Sequence, residues 1–363
     1  TKEKVFESID KANFNDLKIL RDAYTILKQR LGRIPKLKEF KQYGSIDIER
    51  IYGKKKSYHN FLKTYDKDYN VNFTSTQEKF IEYVSMKYAN GKRPHELELI
   101  KLLLQNEKHV FEKLIIILSE NYNIKIHDYT RLNLINQMTQ NFITGSARKS
   151  YEQAIFIEQT GGEYRISRNL QEALINENFR NQLEELVEIG LKINEERYSE
   201  RYMETNFVLY EKYTYEDVCK LLDWEKNMVP LNIGGYKYDS ITKTFPVFIN
   251  YDKHGSVNAT IQYEDEFLSP SNFKAISKSK RNLGSDDVKR IYNANDLGIE
   301  MSLFVRKNKD DLNSKEFYFL GYINAEKSPK EFIMPNTTAS AVELYYRIEK
   351  PVREDLYDYL TGL

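Results

Sequence analysis

Tyr263-Glu264-Asp265-Glu266-Phe267 sets a carboxylate between two aromatic rings. Side chains alternate along a strand, so Tyr263, Asp265 and Phe267 would share one face and Glu264 and Glu266 the other. Such a face suits a planar heterocycle: the rings stack on it, and the carboxylate accepts from an exocyclic amino group such as cytosine N4. The same residues also fit two core aromatics, with Asp265 capping a turn before Ser269-Pro270. The next stretch, Ser271 to Asn282, carries Lys274, Lys278, Lys280 and Arg281 with no acid among them. Ser277, Ser279 and Asn282 add short donors for phosphate oxygens. In an extended chain Lys278 and Lys280 share a face and can follow one nucleic-acid backbone, although a solvated loop would carry the same charges. A third cluster joins Trp224, the only tryptophan, to Gly234-Gly235-Tyr236. Paired glycines permit positive φ or close approach of a partner backbone such as a nucleic-acid strand, and Tyr236 or Tyr238 could stack on a base, although a plain tight turn with tyrosine packing would look the same. Trp224 reads equally as a core anchor.

Other chemistries lack their residues. There is no Gly-x-x-x-x-Gly-Lys-Ser/Thr loop, His-x-Lys motif, His-Glu-x-x-His pair or Cys-x-x-Cys pair, so no phosphate-cradling loop, phospholipase-D centre or zinc site is expected. One echo remains, Asp265 with Asp287-Val288-Lys289, which loosely matches the carboxylate and lysine spacing of Mg²⁺ nucleases. Ser285-Asp286-Asp287 is read more simply as a helix start, where carboxylates complement the dipole. The expectation is therefore no catalysis, no metal and no cofactor in this chain.

The elements that position these residues change character along the 363-residue chain. From Thr1 to 72, Leu17, Leu20, Ala23, Tyr24, Leu27 and Leu31 recur at helical spacing, and Gly32 with Pro35 stops that helix. From 73 to 210 the pattern is helical again, opened by capping residues at Thr74-Ser75-Thr76. It is interrupted at Ala154 to Ser167 by two short strands around Gly161-Gly162. Helices followed by such a hairpin resemble a winged helix, a form used for DNA binding and protein docking alike. From 211 to 363 short strands dominate: Phe245–Tyr251, Ser256–Tyr263, Ile299–Lys307, Glu316–Ile323 and Ala341–Ile348. Helices are expected after Thr214 and at Asp286–Asn293. The fold class expected is α+β, an all-helical coupler followed by a β-barrel.

Lys+Arg number 55 and Asp+Glu 54, a net charge of +1, so any nucleic-acid site must be a local patch. The single cysteine, Cys219, rules out an internal disulfide, and a cytoplasmic location is the default expectation. The longest apolar run, Leu114 to Leu118, falls far short of the ~18 residues of a membrane span. The 28 tyrosines fit an AT-rich coding bias and do not by themselves argue for base stacking. The chain opens on Thr1, not Met, which fits a piece of a longer protein.

Several segments in order carry a resemblance. They are Tyr213-Thr214-Tyr215-Glu216-Asp217-Val218, Leu221-Leu222-Asp223-Trp224, Asn232-Ile233-Gly234-Gly235-Tyr236, Pro246-Val247-Phe248-Ile249, Tyr263 to Phe267, Ser277-Lys278-Ser279-Lys280-Arg281, Leu303-Phe304-Val305-Arg306-Lys307 and Phe317-Tyr318-Phe319-Leu320-Gly321. Together they resemble the C-terminal domain of bacterial superfamily-2 helicases. Leu31-Gly32-Arg33-Ile34-Pro35 is similar to the segment that precedes that domain. Within the group, the chain resembles type IV, modification-dependent restriction endonucleases of the SauUSI kind. The resemblance implies an SRA-like or PUA-like barrel that flips 5-methylcytosine or 5-hydroxymethylcytosine out of double-stranded DNA. It also implies partner nuclease and helicase domains upstream on the same polypeptide, with ATP and Mg²⁺ serving that helicase, and no membrane. The family tends toward arginine where this chain has Lys278 and Lys280, which keeps phosphate contact but not bidentate base reading. A scaffold that couples helicase to nuclease without reading bases is the alternative.

Overall fold

The computed structural model describes residues 17–43, 48–252, 265–308, 315–334 and 337–362. The chain divides into two compact units: Phe14–Asn206 with Glu225–Asn227, and Phe207–Trp224 with Met228 onward. No helix of the described residues is long and apolar enough to cross a membrane.

The first unit is helical, and residues on both sides of position 72 belong to it. Helix Leu17–Leu31 buries Leu20, Tyr24 and Leu27 and ends at Gly32 with φ 66°. Thr74 caps helix Ser75–Lys87, and the reciprocal partner of its capping box is Gln77. The 21-residue helix Glu177–Arg197 begins at the Asn176 cap and buries Phe179, Leu183, Leu186 and Val187. Strands β1 (Ile157–Thr160) and β2 (Glu163–Ile166) form the expected hairpin, with Gly161 and Gly162 at φ 61° and 86°. Positive φ at both central residues matches the right-handed twist of the strands.

One close approach fixes how the Tyr88–Pro94 connection lies on the long helix. A Cβ placed on Gly91, whose φ is 69°, would stand 2.6 Å from the Gly190 carbonyl oxygen and 2.7 Å from the Asn194 amide nitrogen. Neither backbone atom can give way without unwinding the helix. Gly91→Ala is therefore expected to cost about 2–3 kcal/mol, the left-handed penalty plus overpacking. A far-UV melting curve shifted by less than about 1 °C would contradict it.

The second unit carries one mixed sheet. Its strands are β3 (Lys212–Tyr213), β4 (Thr244–Asp252), β5 (Glu266–Ser269), β6 (Asn272–Ile276), β7 (Glu300–Asn308), β8 (Phe317–Ala325), β9 (Lys330–Ile333) and β10 (Ser340–Ile348). The ladder runs β4-β7-β8-β10-β6-β5, with β3 on β8 and β9 on β10. Among the described residues only β4 and β7 pair in parallel. The expected barrel is corrected here: among the described residues no ladder closes the sheet between β4 and β5 or β6. The strand expected at Ser256–Tyr263 lies outside the described residues. In β4 and β7 both faces are buried, Val247 and Leu303 in the main core and Phe248 and Phe304 among Phe207, Phe317 and Phe319. That explains their near-continuous apolar runs. By contrast β6 alternates, with Phe273 and Ala275 inward.

Strand β8 changes partners along its length. Ser302 pairs with Tyr322 and Phe304 with Phe319, so β8 holds one extra residue, and Gly321 there has φ 95°. Beyond this bulge, Ile323 to Ala325 pair with β10.

Candidate nucleic-acid interface

Tyr236 is placed by its glycines. Gly234, at φ 54°, ends helix Pro230–Ile233, and Gly235, at φ 90°, turns the chain so that its carbonyl accepts from Phe248 N. Tyr236 then bridges to Val247 on β4, and its ring stacks on Phe245 at 5.4 Å. Its hydroxyl donates to Asp287 Oδ2 at 2.9 Å and accepts from Lys278 N at 3.2 Å. The Lys278 ammonium lies 4.7 Å from the Tyr236 ring centre and donates to the Ile233 carbonyl at 2.8 Å.

Tyr236 and Lys278 form the wall between two cavities. The larger, an open cleft of about 550 Å³, is lined by the rings of Tyr236, Tyr238 and Phe245 and the cations Lys237, Lys278, Arg281 and Arg290. Asp286 and Asp287 also face it. The smaller, about 90 Å³, lies where the two ends of the sheet face each other, with Val247 to Ile249 of β4 opposite Ala275 and Ile276 of β6. Gly234, Gly235, Asp265 and Tyr346 complete its lining.

The charges of the cleft are partly spent. Burial alone would raise the Asp287 carboxyl, but hydrogen bonds from Arg281 and Tyr236 hold it below the ordinary value. Arg281 Nε reaches Asp287 at 2.7 Å, and that bond raises the guanidinium in turn. Burial, with Lys237 nearby, lowers Lys278. Asp287 thus serves an arginine and a tyrosine, and among the described residues no group of three or more His, Cys, Asp or Glu side chains is placed to hold a metal ion. The cleft also holds Lys237, and Arg290, whose guanidinium lies 5.0 Å from the centre of the Tyr238 ring, so that a cation covers that aromatic face.

The residues singled out from sequence are brought together in part. Asp265 lines the small cavity and its Oδ1 accepts from Ile276 N at 3.0 Å. Phe267 follows it on the inner face of the strand, yet packs into the core against Phe273, Tyr251 and Tyr357 and lines neither cavity. Tyr263 lies outside the described residues. Trp224 is a core anchor whose indole donates to Thr244 Oγ1 at 2.8 Å. Lys274 pairs with Glu266 at 2.9 Å across the β5–β6 hairpin. The buried Ser277 hydroxyl accepts from Val342 N and ties β6 to β10. The extended path expected for Lys278 to Lys280 is corrected: Lys280 takes φ 62° in a turn, so Lys278 reaches inward while Lys280 and Ser279 are exposed. Asn282 accepts from Gly284 N and orders the turn before helix Asp286–Tyr292.

Lys237, Arg290 and Tyr346 were not singled out. For Tyr346 a signal existed, since the alternation Val342, Leu344, Tyr346, Ile348 puts the tyrosine inward. Burial, then the Tyr236 and Tyr292 hydroxyls and the Asp265 and Asp287 carboxylates, push its ionisation far above the ordinary tyrosine value, so it stays a proton donor. Cys219 is buried, and burial pushes its thiol up to about 12, which leaves it unreactive.

Residues 207–360 match the family model described as Domain of unknown function (DUF3427), and residues 20–199 match Domain of unknown function (DUF8090). The first match begins at the residue where the second compact unit begins. No curated protein matches the chain.

Proposed function

We propose that the second unit, similar over nearly its whole length to a domain family whose description names no activity, is a DNA target-recognition module. In this reading it binds double-stranded DNA carrying 5-methylcytosine or 5-hydroxymethylcytosine and extrudes the modified base. The helical unit couples that event to helicase and nuclease domains of the same polypeptide. No catalytic step falls to this chain, and ATP and Mg²⁺ act at the helicase. The observation that carries the reading is the pair of cavities with a common wall: a small, carboxylate-bearing cavity opens beside a cleft that combines aromatic faces with cations. Phosphate contacts position a duplex, and an extruded base is stacked and hydrogen-bonded in a snug pocket. An SRA-like architecture is the finer fold reading, supported by a sheet that curls until β4 faces β6.

One methyl group in an apolar pocket is worth about 1–3 kcal/mol, so selectivity over unmodified DNA is expected to be modest and overall affinity strongly salt-dependent. Competition binding with methylated and unmethylated duplexes across a salt series tests this. Asp265→Ala is expected to remove the base-specific share of binding to both duplexes, so that only phosphate affinity, which does not separate them, remains. Survival of the ratio would move the base site elsewhere. The second reading, a protein-docking scaffold, is favoured by the engagement of Lys274, Lys278 and Arg281 within the unit itself. Equal affinity for both duplexes at every salt concentration would select it.

A further inference from the structure

Tyr346 lines the small cavity and is 1% exposed, and among the described residues its buried hydroxyl has no hydrogen-bond partner. A buried donor without an acceptor is costly to keep. Phenylalanine fills this layer without that cost: Phe273, directly opposite Tyr346 across the β6–β10 pair, is fully buried. Asp265 sets a carboxylate acceptor at the same cavity.

We infer that Tyr346 and Asp265 read the Watson–Crick edge of a cytosine: the tyrosine hydroxyl donates to ring nitrogen N3, and the carboxylate accepts from the N4 amino group. This deepens the modified-cytosine reading and rests on it. What it adds is rejection of thymine. Thymine carries the same 5-methyl group and differs from 5-methylcytosine along that edge alone. It would set its O4 acceptor against the Asp265 carboxylate and an N3–H against a hydroxyl that must then accept. A methyl-sensing wall cannot separate these two bases, whereas a site built to hydrogen-bond one pattern penalises the other strongly.

The test is the affinity of the whole chain for duplexes with 5-methylcytosine, unmodified cytosine or a T·G mismatch at one position, for wild type and Tyr346→Phe. A mismatched base leaves the stack more easily, so extrusion by itself favours thymine. Wild type is expected to bind the 5-methylcytosine duplex at least about tenfold more tightly than the T·G duplex. Tyr346→Phe is expected to weaken 5-methylcytosine binding about tenfold and T·G binding little, while the melting temperature of the free protein stays level or rises, because the lost hydroxyl has no partner. Selection of 5-methylcytosine over cytosine without selection over thymine overturns the inference and leaves the reading standing. So does an unchanged ratio in Tyr346→Phe, or a fall in its melting temperature. Equal wild-type binding of methylated and unmethylated duplexes overturns the reading, and the inference with it.

Discussion

Glu96→Ala is expected to destabilise the helical unit by about 3–5 kcal/mol, because it strands a buried cation. Arg93 and Glu96 are both essentially without solvent contact. Arg93 Nε reaches Glu96 Oε1 at 2.9 Å, and its Nη2 bonds both Glu96 and, at 2.7 Å, Asn133 Oδ1. Removing the carboxylate leaves a buried guanidinium without its Glu96 counter-charge. Replacing the pair together, as Arg93→Met with Glu96→Leu, is expected to recover most of the loss, since two apolar side chains of similar volume carry no desolvation penalty. Urea unfolding followed by far-UV circular dichroism measures both. A Glu96→Ala loss below about 1 kcal/mol would mean that water reaches Arg93 or that Asn133 and its neighbours suffice.

Tyr236→Ala is the second large effect, expected at about 3–5 kcal/mol for a buried aromatic truncated to a methyl. The ring is 6% exposed, stacked on Phe245 and covered by Lys278. The hydroxyl's share separates cleanly. Tyr236→Phe keeps the stack and the Arg281–Asp287 pair but removes the acceptor of the Lys278 amide, which should cost about 1–3 kcal/mol. Trp224 is the sole tryptophan and sits in the same compact unit, so its fluorescence reports this unit selectively. An alanine variant no less stable than the phenylalanine variant would remove the ring from the architecture proposed for the wall.

How far all this could be read in advance depended on the range of the interaction. Strands β4, β7, β8 and β10 were legible because they bury enough apolar surface to print runs or alternation into the chain. Strands β5, β6 and β9 are four or five residues long, and their pairings, β6 and β9 with β10 and β5 with β6, rest on a register that no local pattern encodes. The Thr214 capping box and the Gly161-Gly162 turn are local rules and were visible. The basic segment after Ser271 was visible as composition. Its neutralisation was not: Glu266 answers Lys274 only once the hairpin sets them opposite each other, and Asp287 answers Arg281 only once a turn brings them together. Left-handed Lys280 breaks an extended path that its residue type would favour. Asp265 and Tyr346 were each legible by alternation as inward positions, whereas their meeting at one cavity, across 81 positions of sequence, was not.

The bulge at Gly321 sets the bend of the sheet. Among the described residues, β3, β4 and β7 are hydrogen-bonded as strands to β5, β6, β9 and β10 through the β8–β10 ladder alone. Ser302 pairs with Tyr322 beyond Gly321 and Phe304 with Phe319 before it, so β7 follows β8 around the bulge. Strand β4 from one half and β6 from the other line the small cavity with Asp265, like the two arms of a clasp.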